Sequence, residues 1–346
     1  MPLVLTDSEI SGLVSMEDYI RAMEKAFFEY GNGTAAIRPR QRYQVPLGGD
    51  RFHMTNIIGG AVPGFGVSAV RLNSWPRQKT GQQDKPAVTV TGGWGMIVLF
   101  DLETGKLLGL LMDGIISDLR VGATTGMAIK RLAREDACSI GVLGTGRQAR
   151  SNLEAICLVR KIQRVKVYSP NADHRARFAD EMKARLNIPV VPVDSSSECV
   201  KDMDIIGCFT NSDVPVFDGD LIRAGQTIVS IRNTDHVNRS DEVDQKTFLK
   251  SDRIAISDRA TLLDNKQGEL LNLIHDGKIS WENVVELKDL IAGRARGRVN
   301  DRQVVYFKNN TGMGIQFAAA GKIVLAAARK KGLGTEIPDE LFTRAR

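Results

Sequence analysis

The order of apolar and polar residues follows a helical period near the start of the chain. Leu3 to Leu5 is a short apolar run that predicts a strand, and Asp7 after it is typical of a helix cap. A helix is predicted to begin after Ser15 and to end near Gly31, because apolar residues recur there at helical spacing. These residues are Tyr19, Ile20, Met23, Phe27 and Phe28.

From Arg38 to Val121 the pattern changes to the short runs and alternation that are typical of strands. Leu102 to Gly105 predicts a tight hairpin turn, with glycine where a positive φ is needed. A helix rich in small residues is predicted from Leu119 to Ala133, and its small side chains favour close packing. The predicted strands are Arg42 to Val45, Arg51 to Asn56, Gly66 to Asn73, Ala87 to Val90, Gly95 to Asp101 and Lys106 to Met112.

The most specific pattern lies between Ala137 and Asn171. An apolar run from Ser139 to Leu143 is followed by a glycine-rich break, a helix-like segment and a second apolar run from Val165 to Tyr168. Strand, tight turn, helix and parallel strand in this order form the unit that binds a dinucleotide pyrophosphate. A βαβ crossover without a ligand is the alternative, but every element lies where the cofactor hypothesis needs it.

The glycine-rich break assigns a role to each small residue. Gly144 permits the sharp turn, Gly146 lets the backbone approach the pyrophosphate, and Ala149 allows the helix to pack against the strand. The free N–H groups at the start of that helix would face the phosphates. The predicted cofactor-binding residues of this turn are Gly144, Thr145, Gly146, Arg147, Gln148 and Ala149.

The end of the second strand bears on the choice between NAD and NADP. An Asp or Glu about 20 residues after the glycines would bind the ribose 2′-hydroxyl of NAD. Ser169 and Asn171 stand there instead, and Arg175 and Arg177 follow. This favours NADP(H), although a solvated helix start explains the arginines equally simply. Ser169, Asn171 and Arg175 are therefore predicted to contact the cofactor.

Strand and helix patterns continue to alternate after this unit. They predict an α/β fold with a Rossmann-type, doubly wound sheet of five or six parallel strands. A last, alanine-rich helix is predicted from Gly314 to Lys331. We expect a Rossmann domain at residues 126–312, and a second, α+β domain at residues 1–125 joined by residues 313–346. The further strands are predicted at Pro189 to Val193, Ile205 to Thr210, Thr227 to Ile231 and Arg253 to Ile256.

Length and charge narrow the class of protein. A chain of 346 residues is long for one core and favours two domains. Its 42% hydrophobic and 25% charged residues are ordinary for a globular protein. The net charge of +6 comes from 47 basic and 41 acidic residues that are dispersed, with no basic block interleaved with aromatics. A nucleic-acid partner is therefore not expected, while a slight positive excess suits an anionic substrate and cofactor.

The cysteines and the first residues of the chain bear on its compartment. Cys138, Cys157, Cys199 and Cys208 form no CxxC pair and have no histidine at ligand spacing, so we expect free thiols and no metal site. The first 20 residues carry neither a basic leader nor an apolar stretch that could cross a membrane. We expect a cytoplasmic protein without a membrane partner.

Four longer motifs occur in order along the chain. They are FDLETGKLLGLLMDGIISDLRVGATTGMAIKRLA at 100–133, IGVLGTGRQA at 140–149, CFTNSDVPVF at 208–217 and YFKNNTGMGIQFAAA at 306–320. Together they resemble the ornithine cyclodeaminase and mu-crystallin family. That family also contains alanine dehydrogenases, ketimine and iminosuccinate-type reductases, and opine-like amino acid dehydrogenases.

The resemblance implies an assembly and a site. It implies a homodimer whose surface is formed by the first domain with the C-terminal helix, and an active site in the cleft between domains. It also places two groups of residues beside the cofactor, although capping is an alternative role for such polar residues. They are Thr210, Asn211 and Ser212 at a strand end, and Asn310 and Gly312 near the nicotinamide.

The chemistry expected of such a site can be stated from the residues. Hydride transfer between nicotinamide C4 and the α-carbon of an amino or imino acid requires a clamp for the carboxylate and a group that handles the proton on nitrogen. Arginine suits the clamp because its planar fork pairs with both carboxylate oxygens. By the resemblance, Arg42 or Arg40, Arg71 and Arg120 bind the substrate carboxylate. Surface solvation is the alternative for any single arginine, and its motif favours Arg120 most.

Arg71 departs from the family pattern, because many members place a lysine at this position. Arginine keeps the positive charge but cannot donate a proton or act as a nucleophile at accessible pH. Arg71 and Arg120 are predicted to act on the reacting centre through their charge. If the lysine of those relatives takes part in proton transfer, this protein must use another group for that step or catalyse another reaction.

The second departure lies between Ser230 and Asp244. Cyclodeaminase-like members carry an Asp here, a few residues before a Glu that matches Glu242. Ungapped counting reaches His236, and a slip of one residue reaches Asp235. Either side chain could act as a general acid or base, with loop capping as the alternative. Arg232 is a candidate contact for a second substrate carboxylate.

Three functions remain compatible with the sequence. The first is an NAD(P)H-dependent reductase or dehydrogenase of α-imino or α-amino acids. The second is an ornithine cyclodeaminase-like ammonia-lyase that uses tightly bound NAD⁺, and the third is a non-catalytic, crystallin-like NADP-binding protein. The departures at both catalytic positions favour the first over the second.

Overall fold

A computed structural model describes residues 1–79, 88–89, 92–232, 241–309 and 312–342 of the chain. The chain folds as two compact units. Unit 1 consists of Met1–Arg120 with Gly312–Arg346, and unit 2 consists of Val121–Thr311. The boundary predicted after residue 125 and the observed division after Arg120 fall within one helix, Gly114–Leu132.

Unit 1 contains a mixed sheet whose pairings are antiparallel except for the one between its first strand and β7. Its strands are β1 (Leu3–Leu5), β2 (Ala36–Gly48), β3 (Arg51–Val62), β4 (Val67–Gln78), β5 (Val88–Thr89), β6 (Trp94–Asp101), β7 (Leu107–Met112) and β16 (Thr335–Glu336). They run in the order β16-β1-β7-β6-β4-β3-β2, and β5 pairs with β4 beside that path. The helices of this unit are α1 (Asp7–Ile10), α2 (Met16–Gly31), the start of α3 (Gly114–Leu132) and α11 (Gly314–Lys331).

Helix α11 packs against β3, β4 and α2, and most of its residues are buried. Two glycines allow the closest approach to the sheet. A Cβ atom on Gly60 of β3 would lie 2.6 Å from the backbone of Gly314, and one on Gly314 would lie 2.0 Å from the backbone of Gly59. The backbones of helix and strand therefore touch at this point, and the core of unit 1 is formed around this contact.

Unit 2 is built on an eight-stranded sheet in the order β10-β9-β8-β11-β12-β15-β13-β14, in which every pairing is parallel. Its strands are β8 (Ser139–Leu143), β9 (Arg164–Tyr168), β10 (Val190–Pro192), β11 (Ile205–Cys208), β12 (Thr227–Ser230), β13 (Arg253–Ile256), β14 (Val284–Glu286) and β15 (Val305–Lys308). Its helices, besides the rest of α3, are α4 (Arg147–Val159), α5 (Ala172–Leu186), α6 (Ser196–Val200), α7 (Gln245–Leu249), α8 (Arg259–Asp264), α9 (Gly268–His275) and α10 (Leu287–Ile291).

The predicted fold class is confirmed, because a parallel α/β sheet of the Rossmann type is joined to a second domain. The sheet has more strands than the five or six expected. The missed strands, β14 and β15, have only 3 and 4 residues and show too little periodicity to be separated from their surroundings. The sheet order reverses direction at β8, whose neighbours are β9 and β11. Ligands of such sheets bind at the carboxyl ends of the strands near this reversal.

Two predictions about helix starts are wrong. Thr6 rather than Asp7 caps α1, because its side chain accepts from the Glu9 N–H and the Glu9 carboxylate accepts from the Thr6 N–H. Asp7 instead accepts a 3.0 Å hydrogen bond from the N–H of Ile115 at the start of α3. That helix begins at Gly114, before the predicted Leu119, because a carboxylate from the other end of the unit satisfies its first turn.

The four cysteines are free thiols, and two of them, Cys199 and Cys208, are buried. Across the described ranges, no helix combines the length and the apolar character needed to cross a membrane.

The contact between α11 and β3 predicts a difference between two adjacent glycines. We expect Gly60→Ala to lower the free energy of unfolding by about 1–3 kcal/mol, because its Cβ atom would push against the backbone of α11. Gly59→Ala is the matched control, since its Cβ atom would lie 3.9 Å from the Ala69 carbonyl oxygen, an ordinary contact. Urea unfolding of both variants tests this, and equal losses of stability would contradict it.

Candidate functional site

The glycine-rich turn of unit 2 connects β8 to α4. Gly144 adopts a φ of +107°, and a Cβ atom there would lie 2.4 Å from the Phe209 carbonyl oxygen, so this position requires glycine. A Cβ atom on Gly146 would meet nothing within 4 Å. The backbone of Gly146 is therefore open to a close ligand, and the side chain of any other residue would fill that space.

The first turn of α4 suits an anion. Gly146 is its N-cap and provides no side chain to the helix, and no acidic residue lies in the first turn. Arg147 is exposed, Gln148 and Thr145 are half-buried, and Ala149 is fully buried. The N–H groups at such a helix start bind phosphate oxygens. The turn therefore fits the dinucleotide pyrophosphate for which its residues were predicted.

Arg150 holds this turn in shape, a role that the sequence analysis missed. Its guanidinium donates to the carbonyl oxygen of Thr145 at 2.7 Å and to that of Gly146 at 3.1 Å. It also donates to the Glu181 carboxylate and lies over the Phe178 ring. The arginine thus ties the glycine turn to α5. Its position four residues after Gly146 is a signal that sequence reasoning could have used.

The sequence predicted no carboxylate at the end of β9, but the structure places Asp194 there. The Ser169 hydroxyl donates to the carbonyl oxygen of Asn171 at 3.3 Å, and the Asn171 side chain caps α5 by accepting from the His174 N–H. Arg175 forms an ion pair with Asp194, which follows the neighbouring strand β10. The sequence pattern of β9 could not show this carboxylate, because it belongs to another strand.

A buried carboxylate, Glu242, joins the ends of β11 and β12. One of its oxygens accepts from the N–H and the hydroxyl of Thr210, both at 2.7 Å. The other accepts from the N–H groups of Ile231 and Arg232, both at 3.0 Å. Burial raises the pKa of Glu242, although these donors act in the opposite direction. From the sequence, Glu242 served only to align the preceding residues with the family pattern.

The polar groups after β11 mostly form hydrogen bonds with each other and with Glu242. Thr210 uses its N–H and hydroxyl on Glu242, and its hydroxyl accepts from the Ser212 N–H at 3.1 Å. The Ser212 hydroxyl donates to the Val214 carbonyl oxygen at 2.7 Å, and Asn211 is exposed. These contacts fix the loop backbone at the end of β11.

Arg232 pairs with a carboxylate of its own unit. Its guanidinium contacts Asp213, whose side chain is 10% exposed. The predicted acid/base residues Asp235 and His236 lie outside the described residues. The same holds for Asn310.

The end of β15 is anchored by charge and by an amide. Lys308 forms a buried ion pair with Glu269 of α9. The next residue, Asn309, donates to Thr125 of α3 at 3.3 Å and accepts from the Ser257 hydroxyl at 3.2 Å. These contacts therefore fix the end of β15, which precedes the predicted nicotinamide contacts.

In unit 1, a polar row crosses four strands of the sheet. Arg42, Asn56, Asn73 and Gly95 are register partners on β2, β3, β4 and β6. The Arg42 guanidinium donates to the Asn56 side-chain oxygen at 2.6 Å, and the two buried asparagine amides lie 2.8 Å apart. A Cβ atom on Gly95 would lie 2.1 Å from Asp113, so the glycine leaves the space that this carboxylate occupies.

Arg71 and Arg120 lie at the end of this row and share one aromatic neighbour. The Arg71 guanidinium forms an ion pair with Asp113 and contacts the Asn73 amide. Arg120 donates to the side-chain oxygen of Gln316 at 3.1 Å. The guanidinium carbons of Arg71 and Arg120 lie 5.4 and 5.1 Å from the centre of the Phe317 ring. Helix α11, which supplies Gln316 and Phe317, therefore positions both arginines.

Among these groups, Arg120 has a pKa that is shifted from its ordinary value. Burial lowers its pKa to about 9, and the positive charges of Arg71 and Arg40 act in the same direction. Arg40 stands at an irregularity of β2 between Arg38 and Gln41. Gly312 lies against the Arg120 guanidinium, since a Cβ atom there would be 3.1 Å from it. Gly312 thus belongs with the arginines in unit 1, and its predicted place near the nicotinamide stays a prediction.

In the described parts of the chain, no group of three His, Cys, Asp or Glu side chains could hold a metal ion. The arrangement in unit 1 is suited to an organic anion, because closely spaced guanidinium groups attract a carboxylate.

The chain is similar to known proteins along nearly its whole length. Residues 1–332 match the ornithine cyclodeaminase/mu-crystallin family. An alanine dehydrogenase from Archaeoglobus fulgidus is 30% identical over 338 residues, which are 97% of this chain and 98% of that protein.

Two solved structures give the same result for the fold. The Delta(1)-pyrroline-2-carboxylate reductase of Thermococcus litoralis, in complex with NADH and L-proline, has a TM-score of 0.84 and 30% identity over 97% of this chain and 100% of that one. An archaeal alanine dehydrogenase dimer with bound NAD has a TM-score of 0.83 and 26% identity over 97% of this chain and 99% of that one.

The contacts of Glu242 predict the effect of replacing its carboxylate by an amide. In Glu242→Gln, the amide NH₂ must face N–H or hydroxyl donors in either orientation. We expect the free energy of unfolding to fall by about 1–3 kcal/mol. Glu282→Gln removes the same charge from an exposed turn and should change stability little. Unfolding curves in urea compare the two, and unchanged stability of Glu242→Gln would show that the carboxylate does not anchor the strand ends.

Proposed function

The chain belongs to the ornithine cyclodeaminase/mu-crystallin family, and on this premise we propose that it is an NAD(P)H-dependent reductase or dehydrogenase of α-imino and α-amino acids. Relatives with this activity in their names support the class: an alanine dehydrogenase, a Delta(1)-pyrroline-2-carboxylate reductase and an iminosuccinate reductase. Solved structures of such proteins contain NADH or NAD.

One observation carries the proposal: Arg71 and Arg120 flank the same Phe317 ring, and both arginines are half-buried. Burying a guanidinium costs free energy unless its partners compensate for lost water. A substrate carboxylate would supply such a partner and bind both nitrogens of a planar fork. We therefore assign the α-carboxylate of the substrate to Arg120, with Arg71 and Arg40 as the further positive charges that act on it.

The proposed reaction needs a bound dinucleotide and a bound carboxylate. The bound dinucleotide supplies the hydride that the α-carbon of an imino acid accepts, or takes it back in the reverse direction. Gly144, Gly146 and the start of α4 hold its pyrophosphate, and the loop that Glu242 fixes supports it from the ends of β11 and β12. The chain's own task is then to orient the carboxylate and to deliver one proton to the imine nitrogen.

The proton donor is a separate assignment. Arg71 pairs with Asp113 and stays charged, so it holds the anion but does not donate a proton. We propose Asp235 or His236 for this role, because either can exchange a proton near neutral pH or in a perturbed site. Arg232 remains our candidate for a second carboxylate, which would have to compete with Asp213 for the guanidinium.

We also propose that the protein acts as a homodimer. Strand β2 lies at an edge of the unit 1 sheet, and its outer part exposes Tyr43, Val45 and Leu47 at alternate positions. An exposed edge strand with an apolar face calls for a covering partner. A second copy of the chain would provide it, and the archaeal alanine dehydrogenase is described as a dimer.

The function is tested by following NADH and NADPH oxidation with candidate substrates. These are pyruvate with ammonia or methylamine, oxaloacetate with ammonia, and the cyclic imines of proline and pipecolate. We expect oxidation with at least one of them, and a loss of kcat/KM of about 100-fold or more in Arg120→Gln, because a buried charge pair is broken. Arg21→Gln, on the exposed face of α2, is the control.

The outcomes separate the alternatives. If no substrate supports the oxidation of NADH or NADPH while proline forms from ornithine with catalytic NAD⁺, the proposal is wrong and the cyclodeaminase hypothesis is correct. Dinucleotide binding without any turnover would indicate a non-catalytic protein.

A further inference from the structure

The end of β9 carries an ion pair that neither the glycine turn nor the carboxylate site requires. Arg175 stands in the first turn of α5, and Asp194 follows β10. The two strands are neighbours in a parallel sheet, so their carboxyl ends lie at the same edge. In this type of fold, the ribose 2′ position of the dinucleotide lies at the end of the second strand, which is β9 here.

Arg175 is fixed on three sides. It donates to the Ser169 carbonyl oxygen at 3.1 Å, pairs with the Asp194 carboxylate and lies 5.8 Å from the centre of the Tyr168 ring. Its side chain is only 14% exposed, whereas that of Asp194 is 93% exposed. The guanidinium is therefore held against the end of β9, and the carboxylate is the part that projects towards solvent.

The other polar groups at this strand end have local partners. The Ser169 hydroxyl donates to Asn171, and the Asn171 side chain caps α5. Arg177, the second arginine of the expected NADP site, donates to the carbonyl oxygen of Asp173. The Asp194 carboxylate pairs with Arg175 but is still 93% exposed, so a ligand at this strand end can reach it.

We propose that Asp194 selects NAD(H) over NADP(H), by accepting the ribose 2′-hydroxyl and by occupying the guanidinium that a 2′-phosphate would need. A 2′-phosphate would bring two negative charges beside the carboxylate, and like charges at this distance repel. A hydroxyl instead donates to it. The carboxylate that β9 itself lacks is supplied by the next strand, which reverses the preference expected from the sequence. This inference rests on the proposed function, because it assumes a bound dinucleotide.

The inference is tested by binding, measured through the fluorescence of NADH and NADPH titrated with the protein. We expect the wild-type protein to bind NADH at least tenfold more tightly than NADPH. In Asp194→Asn that ratio should shrink by about tenfold or more, a change of about 1.4 kcal/mol, because Arg175 is released and the repulsion is removed. Asp173→Asn is the matched control, since it removes a nearby carboxylate from the first turn of α5. That variant should leave the ratio unchanged.

A double variant links the effect to the arginine. Arg175→Gln combined with Asp194→Asn should lose the NADPH affinity that Asp194→Asn gains. Tighter binding of NADPH by the wild-type protein, or an unchanged ratio in Asp194→Asn, would overturn the inference and leave the proposed function intact. Absence of binding by both dinucleotides would overturn the proposed function and this inference with it.

Discussion

The contact between Gly60 and Gly314 is the constraint on which unit 1 depends. Two backbones touch there without side chains between them, and this brings the first turn of α11 down onto the sheet. Gln316 and Phe317 in that turn then reach Arg120 and Arg71. The packing of this helix thus decides where two uncharged side chains meet the arginines, while Asp113 pairs with Arg71 from the sheet side of the unit.

In unit 2, buried charged groups fix the strand ends, whereas in unit 1 the close packing of a helix on the sheet positions the arginines. Glu242 joins the ends of β11 and β12, and Lys308 with Glu269 holds the end of β15. A buried carboxylate is stable only when hydrogen-bond donors replace water, and Glu242 receives four of them. These contacts fix the loops at the carboxyl edge of the sheet.

The sequence predicted local features well and long-range pairings poorly. The glycine turn from Gly144 to Ala149 and the strands beside it follow from adjacent residues, so pattern and mechanism agree there. The roles of Glu242 and Asp194 depend on strands far apart in sequence, and no periodicity connects Asp194 with Arg175. The arginines of unit 1 were selected through the family resemblance; their common neighbour Phe317 emerged only from the packing of α11.

The order of the chain has a consequence for how the protein is made. All strands of the unit 1 sheet except β16 precede Gly114, but the helix that covers the sheet begins only at Gly314. On the ribosome, all of unit 2 is synthesised before that helix appears, and domains fold as they emerge. The face of β3 and β4 that packs against α11 therefore stays without this helix during most of synthesis. Chaperone dependence of this protein should accordingly reside in its first 120 residues, although its cofactor-binding unit lies downstream of them.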